Sequence, residues 1–267
     1  MDKPMMVEPR AVGADTVALL SYLPVPPSSL LPVNAYLIRA AQPVLVDTGM
    51  AAVRDDFLRY LSEVIPIADL QWLWLTHTDP DHVGSYREVV DQAPNLRVVT
   101  TFVGMGKLGL LGLPVERTYL LNPGQSLYAG DRELRCVKPP TFDAPETTAI
   151  VDAKTGAFFS ADTFGALIPE PFQDATQIEP AVLRDGLVTW TTVDSPWLHM
   201  VDRRAFTQSL GAVHALDPSI ILSSHLPPAA GMTDTLLEYL NAVPAAQPFE
   251  GPDQVAFERM LAGVPSV

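Results

Sequence analysis

Residues 70–84, LQWLWLTHTDPDHVG, pass from an apolar run directly into a hexapeptide that carries four potential metal ligands, His77, Asp79, Asp81 and His82. The apolar part has the length and composition of a strand entering a core, and its two tryptophans read as packing rather than as a stacking platform. Beyond the strand, a loop stiffened by Pro80 can turn successive side chains toward one point. A straight strand cannot, because its side chains alternate between faces. Val83-Gly84-Ser85 then opens a helix whose N-terminal amides can help to orient the loop and nearby anionic groups. The plainer alternative is a polar turn in which Asp81 caps that helix.

Two more strand ends carry ligand-type residues. Asp162 follows the apolar Phe158-Phe159, and His225 follows Ile220-Ile221-Leu222. Strand ends of an open α/β sheet converge on one rim, where such architectures place their sites. The chain has only five histidines, so three at these ends favour a shared metal centre over separate polar turns. His199 and His214 read as ordinary histidines, with His199 placed so that it could also line a pocket. Cys136 reads as a buried structural thiol in a strand, and a lone cysteine fits a reducing, cytoplasmic setting.

Around this centre the pattern alternates. Residues 33–38 and 43–46 read as adjacent strands, and Asp47-Thr48-Gly49 ends the second. Apolar residues at helical spacing (Val53, Phe57, Leu58, Leu61, Val64) predict a helix over 51–65. A helix over 84–93 and a strand over 96–100 follow, and 118–159 is mostly strands. Helices are expected over 179–192, 201–216 and, finally, about 233–240, with a strand over 219–223. The prolines, as in Pro24-Val25-Pro26-Pro27, read as stiff loops within a domain. The fold class is α/β, a layered sandwich in one domain over residues 1–267.

Composition narrows the function. A net charge of −14 argues against nucleic acid and anionic membrane as partners, since both need a basic surface. No apolar run approaches the roughly 20 residues that span a bilayer, and the first 15 residues lack the apolar core of a secretory signal. There is no glycine-rich phosphate loop, nucleophile elbow or Cys-x-x-Cys pair.

Taken together, His77-x-Asp79-x-Asp81-His82, then Asp143, Asp162 and His225 at further separations of 66, 19 and 63 residues, resemble the metallo-β-lactamase superfamily. The resemblance runs from about residue 34 to 227 and includes Asp47-Thr48-Gly49. It is strongest to the metal domain of flavodiiron proteins. Their second motif ligand is a carboxylate, as Asp79 is here. Asp143-Ala144-Pro145-Glu146-Thr147 is similar to their His-Trp-Pro-Asp-Ser, and Ser160-Ala161-Asp162-Thr163-Phe164-Gly165 to their Ser-x-Asp-x-Phe-Gly. The resemblance implies a four-layer αββα sandwich. It also implies that His77, Asp79 and Asp143 hold one metal, that Asp81, His82 and His225 hold a second, and that Asp162 bridges them.

Two departures change the expected chemistry. Asp79 stands where a longer Glu or His is usual, and Asp143 where relatives carry histidine. Either the first metal is held loosely, or the site is harder and more anionic than the superfamily norm. The hardness of such a set favours iron or manganese over zinc. Two functions then compete. A di-iron centre would bind or reduce O2 or NO, fed by a separate flavoprotein or rubredoxin-like electron donor because the chain leaves no room for an FMN domain. Alternatively, a dinuclear hydrolase would use a metal-bound hydroxide on a small ester, lactone, thioester or phosphodiester, with Asp81 as the catalytic proton carrier and Phe142, Phe164 and Leu167 as apolar lining. A third option is a degenerate member kept for binding. A homodimer is compatible with any of these.

Overall fold

Alternation at period two sorts the residues of each strand between two faces. In the computed structural model, which describes residues 3–262, both faces of both sheets are covered. The first sheet has eight strands: β1 (Met5–Met6), β2 (Arg10–Val12), β3 (Thr16–Val25), β4 (Ser29–Ile38), β5 (Val44–Val46), β6 (Trp72–Trp74), β7 (Arg97–Thr100) and β8 (Thr118–Leu120). Their order is β1-β3-β4-β5-β6-β7-β8, with β2 also paired to β3, and β5 through β8 run parallel. The second sheet contains β9 (Ser126–Tyr128), β10 (Glu133–Val137), β11 (Ala149–Asp152), β12 (Ala157–Phe159), β13 (Ile220–Leu222) and β14 (Ala229–Ala230), in the order β14-β13-β12-β11-β10-β9.

Helices α1 (Arg54–Val64), α2 (Tyr86–Gln92) and α3 (Phe102–Leu110) cover the outer face of the first sheet, where Phe57, Leu61, Val89 and Leu108 join the cluster of Leu37, Leu45 and Leu73. Helices α4 (Pro180–Asp194), α5 (Arg203–Ala215) and α6 (Thr233–Ala242) cover the second sheet, bringing Leu187, Phe206, Leu210 and Leu240 to Phe158 and Ile221. Between the sheets, Tyr36, Val46 and Trp74 meet Cys136, Phe159 and Leu222. The result is the four-layer αββα sandwich. Full burial of a Leu, Ile, Val or Phe contributes about 1.5–3 kcal/mol, more than the roughly 1 kcal/mol range of strand propensities. The apolar pattern therefore decides which segments become strands.

Several expected elements change in extent. The strand expected over 70–75 contracts to Trp72–Trp74, while that over 33–38 grows to Ser29–Ile38 because it pairs along its whole length with β3. Pro24-Val25, expected as loop, is the end of β3, and only Pro26-Pro27 lie in the turn. The helix expected to be last is followed by α7 (Gln254–Leu261). Trp74 is fully buried, as its role in packing requires. Burial pushes the Cys136 thiol up to about 12, which makes it an inert core residue. Among the described residues no helix is long and apolar enough to cross a membrane.

One close approach fixes α4 against the rest of the molecule. A Cβ on Gly186 would stand 2.0 Å from the carbonyl oxygen of Leu167, and Gly186 O accepts a hydrogen bond from Leu167 N at 3.2 Å. At an unconstrained mid-helix position, Gly→Ala stabilises by about 1 kcal/mol. Here the sign should reverse, with Gly186→Ala destabilising by about 1–3 kcal/mol in denaturant titration. An unchanged or raised midpoint would refute the packing role of this glycine.

Candidate metal centre

The two sheets present their strand ends at one rim. From the first come Asp47, just after β5, and the loop 76–82 after β6; from the second come Asp162 after β12 and His225 after β13. Asp143 precedes β11, which runs antiparallel to β12 and so starts at the same rim. Hydrogen bonds sew the two sides together. Thr148 N donates to Thr76 O (2.8 Å) and Asn34 N to Ser224 O (2.8 Å). Asn34 Nδ2 donates to Ser223 O (3.0 Å) and Leu226 O (2.8 Å), and the Tyr36 hydroxyl donates to Ser223 O (2.7 Å). The His225 turn is thereby held by a strand of the opposite sheet.

The same economy orients the imidazoles. Asp47, buried and at φ +58°, accepts from Thr76 N (2.8 Å), Thr76 Oγ1 (2.7 Å) and His82 Nδ1 (2.9 Å). His77 Nδ1 lies 3.2 Å from Thr76 Oγ1, and His225 Nδ1 donates to Pro32 O at 2.7 Å. With Nδ1 engaged in each ring, Nε2 is the nitrogen left to face the centre, the arrangement that prepares a histidine for a metal. Glycine makes the loop packing possible: a Cβ on Gly84 would come within 2.2 Å of Ala51 N.

All three free nitrogens point at Asp162. His77 Nε2 is 3.2 Å from its Oδ2, and the Nε2 atoms of His82 and His225 are each 3.2 Å from its Oδ1. None of these approaches satisfies Oδ1, and both it and His82 Nε2 remain buried without a hydrogen-bond partner. An orphaned buried carboxylate oxygen is costly in an ordinary core. It is what a carboxylate prepared for a cation looks like. Ala161 (φ +52°) and Phe164 (φ +71°) hold left-handed backbone on either side of Asp162, strain of about 1–3 kcal/mol each that collects at functional sites.

Further donors flank this core in two groups. His77 Nε2 lies 3.9 Å from Asp143 Oδ1, and Asp79 completes a set that could hold one ion. Asp81 Oδ2 is 3.6 Å from His82 Nε2 and 3.5 Å from His225 Nε2, completing a set for another. Every residue predicted as a metal ligand is thus brought to one place. The electrostatics call for positive charge. Burial pushes the Asp162 carboxyl up, but His77, His82 and His225 outweigh it and hold the group well below the usual carboxylate range. Burial also disfavours a charged His225, yet Asp162 and Asp81 raise it to about 9, and His82 is raised by the same neighbours and Asp47. At Asp143, burial prevails over His77 and, with Asp162 and Asp79, lifts the carboxyl to about 6. Protons and metal ions compete for a site of this kind.

Other expectations resolve simply. Helix α2 begins after Ser85 and takes no cap from Asp81. His199 is exposed and His214 pairs at the surface with Asp234 (3.2 Å), so neither serves the centre. Phe164, expected to line a pocket, is fully buried in the core cluster with Phe158 and Leu187. Phe142 packs against Trp197 with ring centroids 5.3 Å apart. Two residues that the sequence did not single out also reach the site. Asp194 ends α4 with its carboxyl beside Asp143 and Asp162, and Trp190, one turn earlier, packs against His225 with ring centroids 5.2 Å apart. Only their spacing of four, which places them on one helix face, could have drawn attention to them. Burial and the neighbouring Asp162 and Asp143 push the Asp194 carboxyl up to about 8.

Comparison with known proteins places this geometry in context. A family model described as ODP family beta lactamase matches residues 31–225. The type A flavoprotein fprA of Rhodobacter capsulatus is 30% identical over 145 residues, covering 50% of this chain and 32% of that protein. The flavo-diiron protein FprA2 of Clostridium acetobutylicum is 25% identical over 200 residues, covering 73% and 48%. Among solved structures, the rubredoxin oxygen:oxidoreductase of Desulfovibrio gigas superposes with a TM-score of 0.76 at 17% identity, covering 89% of this chain and 61% of its own, a likeness of fold. The chain spans less than half the length of these two curated relatives.

The buried Glu146 anchors the metal loop from behind. Its Oε1 accepts from Thr78 Oγ1 (2.8 Å) and pairs with Lys107 Nζ (2.7 Å). Burial pushes this carboxyl up, but Lys107, its own backbone N–H and Thr78 outweigh burial and hold it below the ordinary range. A carboxyl depressed on folding stabilises fully above its unfolded pKa of about 4.3 and loses that contribution as pH falls through its folded value. Glu146→Gln should therefore cost about 1–3 kcal/mol at pH 7, with the gap to wild type closing below about pH 4. Denaturant titrations across pH test this, and a gap independent of pH would refute the charged role.

Proposed function

We propose, from the premise that the chain belongs to the ODP family of β-lactamase-like proteins, that its rim centre holds two iron ions and binds or reduces O2 or NO with electrons from a separate donor. The observation that carries this is the meeting of three imidazole Nε2 atoms on an unpartnered Asp162 between two sets of carboxylate donors. In this assignment His77, Asp79 and Asp143 hold one ion, Asp81, His82 and His225 the other, and Asp162 lies between them. Carboxylates outnumber imidazoles, which favours iron or manganese over zinc. When bound, the iron pair supplies the electrons and the open coordination positions for a diatomic molecule.

The remaining chemistry falls to the chain. Asp47, Thr76 and Pro32 O hold the imidazoles in one tautomer and orientation. Asp81, with its side chain 30% exposed, stands at the solvent side of the centre; burial pushes its carboxyl up, but His82 and His225 outweigh burial and hold it below the usual range, so it faces the ion as a carboxylate. The names of the relatives, flavo-diiron protein and rubredoxin oxygen:oxidoreductase, support oxygen chemistry and a flavoprotein or rubredoxin-like donor. The hydrolytic alternative is not favoured: the individual relatives described above are a flavoprotein, a flavo-diiron protein and an oxidoreductase by name.

Anaerobic protein loaded with iron should develop visible absorption on mixing with O2 or NO, and a colourless, unreactive centre would overturn the gas assignment. Asp162→Ala should lose both ions in metal analysis. Two equivalents retained by that variant would refute a shared position between the ions.

A further inference from the structure

Among the described residues, α4 is the helix that brings side chains to the centre. Gly186 lets it close on Leu167, and Gly165 lets it close on the site, since a Cβ there would stand 2.5 Å from the Trp190 ring and 2.8 Å from His225 Cβ. This contact sets Trp190 beside His225 and, one turn later, sets Asp194 beside Asp143 and Asp162. Oxygens of Asp143, Asp162 and Asp194 all lie within 4.8 Å of one another. Such proximity needs a reason. The C-terminal end of a helix is its negative pole, where a carboxylate is disfavoured, and three carboxyl groups this close cannot all ionise without a cation among them. Among the described residues no lysine or arginine pairs with any of the three; Asp143 and Asp162 have only imidazole partners, and Asp194 makes a single hydrogen bond, accepted by Oδ2 from Ser195 Oγ at 3.0 Å. Asp162, 5% exposed, contributes to the same cluster, with Oδ2 toward His77 and the unpartnered Oδ1 toward His82 and His225.

We propose that Asp194 is an additional carboxylate ligand, supplied by α4, of the metal ion nearest Asp143; this rests on the assignment of the rim as a two-metal centre. The departure at Asp143 then has a counterpart. Where the superfamily pattern places one long histidine, this chain reaches the ion from two directions with two short carboxylates. Asp194 also raises the number of carboxylates at the centre to five, Asp79, Asp81, Asp143, Asp162 and Asp194, against three neutral imidazoles. Two divalent ions balance four negative charges. A fifth is balanced when one ion is trivalent, a state open to iron and manganese and closed to zinc, which has no redox chemistry.

The test uses Mn2+ as the probe, with stoichiometry by metal analysis and free ion by electron paramagnetic resonance. Asp194→Asn keeps an acceptor oxygen for Ser195 and removes only the charge, and Asp194→Glu restores it; circular dichroism checks that each variant is folded. Wild type should take up two Mn2+ per chain. Asp194→Asn should keep one and bind the other about tenfold more weakly or worse, with Asp194→Glu recovering part of the loss. Two ions held by Asp194→Asn at wild-type affinity would overturn the assignment of Asp194 alone. A wild type that takes up no Mn2+ would overturn the two-metal centre and this proposal with it.

Discussion

A buried carboxylate facing three imidazoles organises this molecule. Asp162 gives up solvent, sits between two residues with left-handed backbone, and keeps one oxygen without a hydrogen bond. Each of these is unfavourable in isolation, so the surroundings must be stiff enough to impose them. That stiffness comes from outside the centre. Asp47 locks Thr76 and His82, Asn34 and Tyr36 hold the His225 turn, and Glu146 holds Thr78. None of these four residues need touch a cation, yet together they determine where the donors point.

Much of this could be read from the chain. The apolar run ending in His77, and the two later strands ending near Asp162 and His225, carried both the layered fold and the common rim, because hydrophobic alternation dominates strand formation and strand ends locate sites in such sheets. Asp143 was legible only through a family resemblance, since it lies in a loop with no periodic signal. Asp194 left only a faint trace, its spacing of four from Trp190. Its helix was expected to stop at residue 192, and its relation to Asp162 depends on a glycine contact between Gly186 and Leu167 that no local pattern announces. The amino-terminal hairpin escaped for a different reason. Pro24, Pro26 and Pro27 read as loop punctuation, whereas pairing along ten residues with β4 carries the strand through Pro24 to Val25.

Phe164 shows how motif and function separate. Its place two residues after Asp162 in sequence suggests a lining residue, but its ring is packed in the hydrophobic core. Proximity in sequence to a ligand is thus weak evidence of proximity to its reactants.

The donors come from both halves of the sandwich, His77 and His82 from the first sheet, Asp162 and His225 from the second. A cation gripped by both sets is a bolt through the seam between the layers. Binding to the native state alone stabilises it by mass action, about 2.7 kcal/mol when free ligand is a hundredfold above its dissociation constant. Resistance to unfolding would then track metal supply, and a starved molecule would shear first along the plane where its two sheets meet.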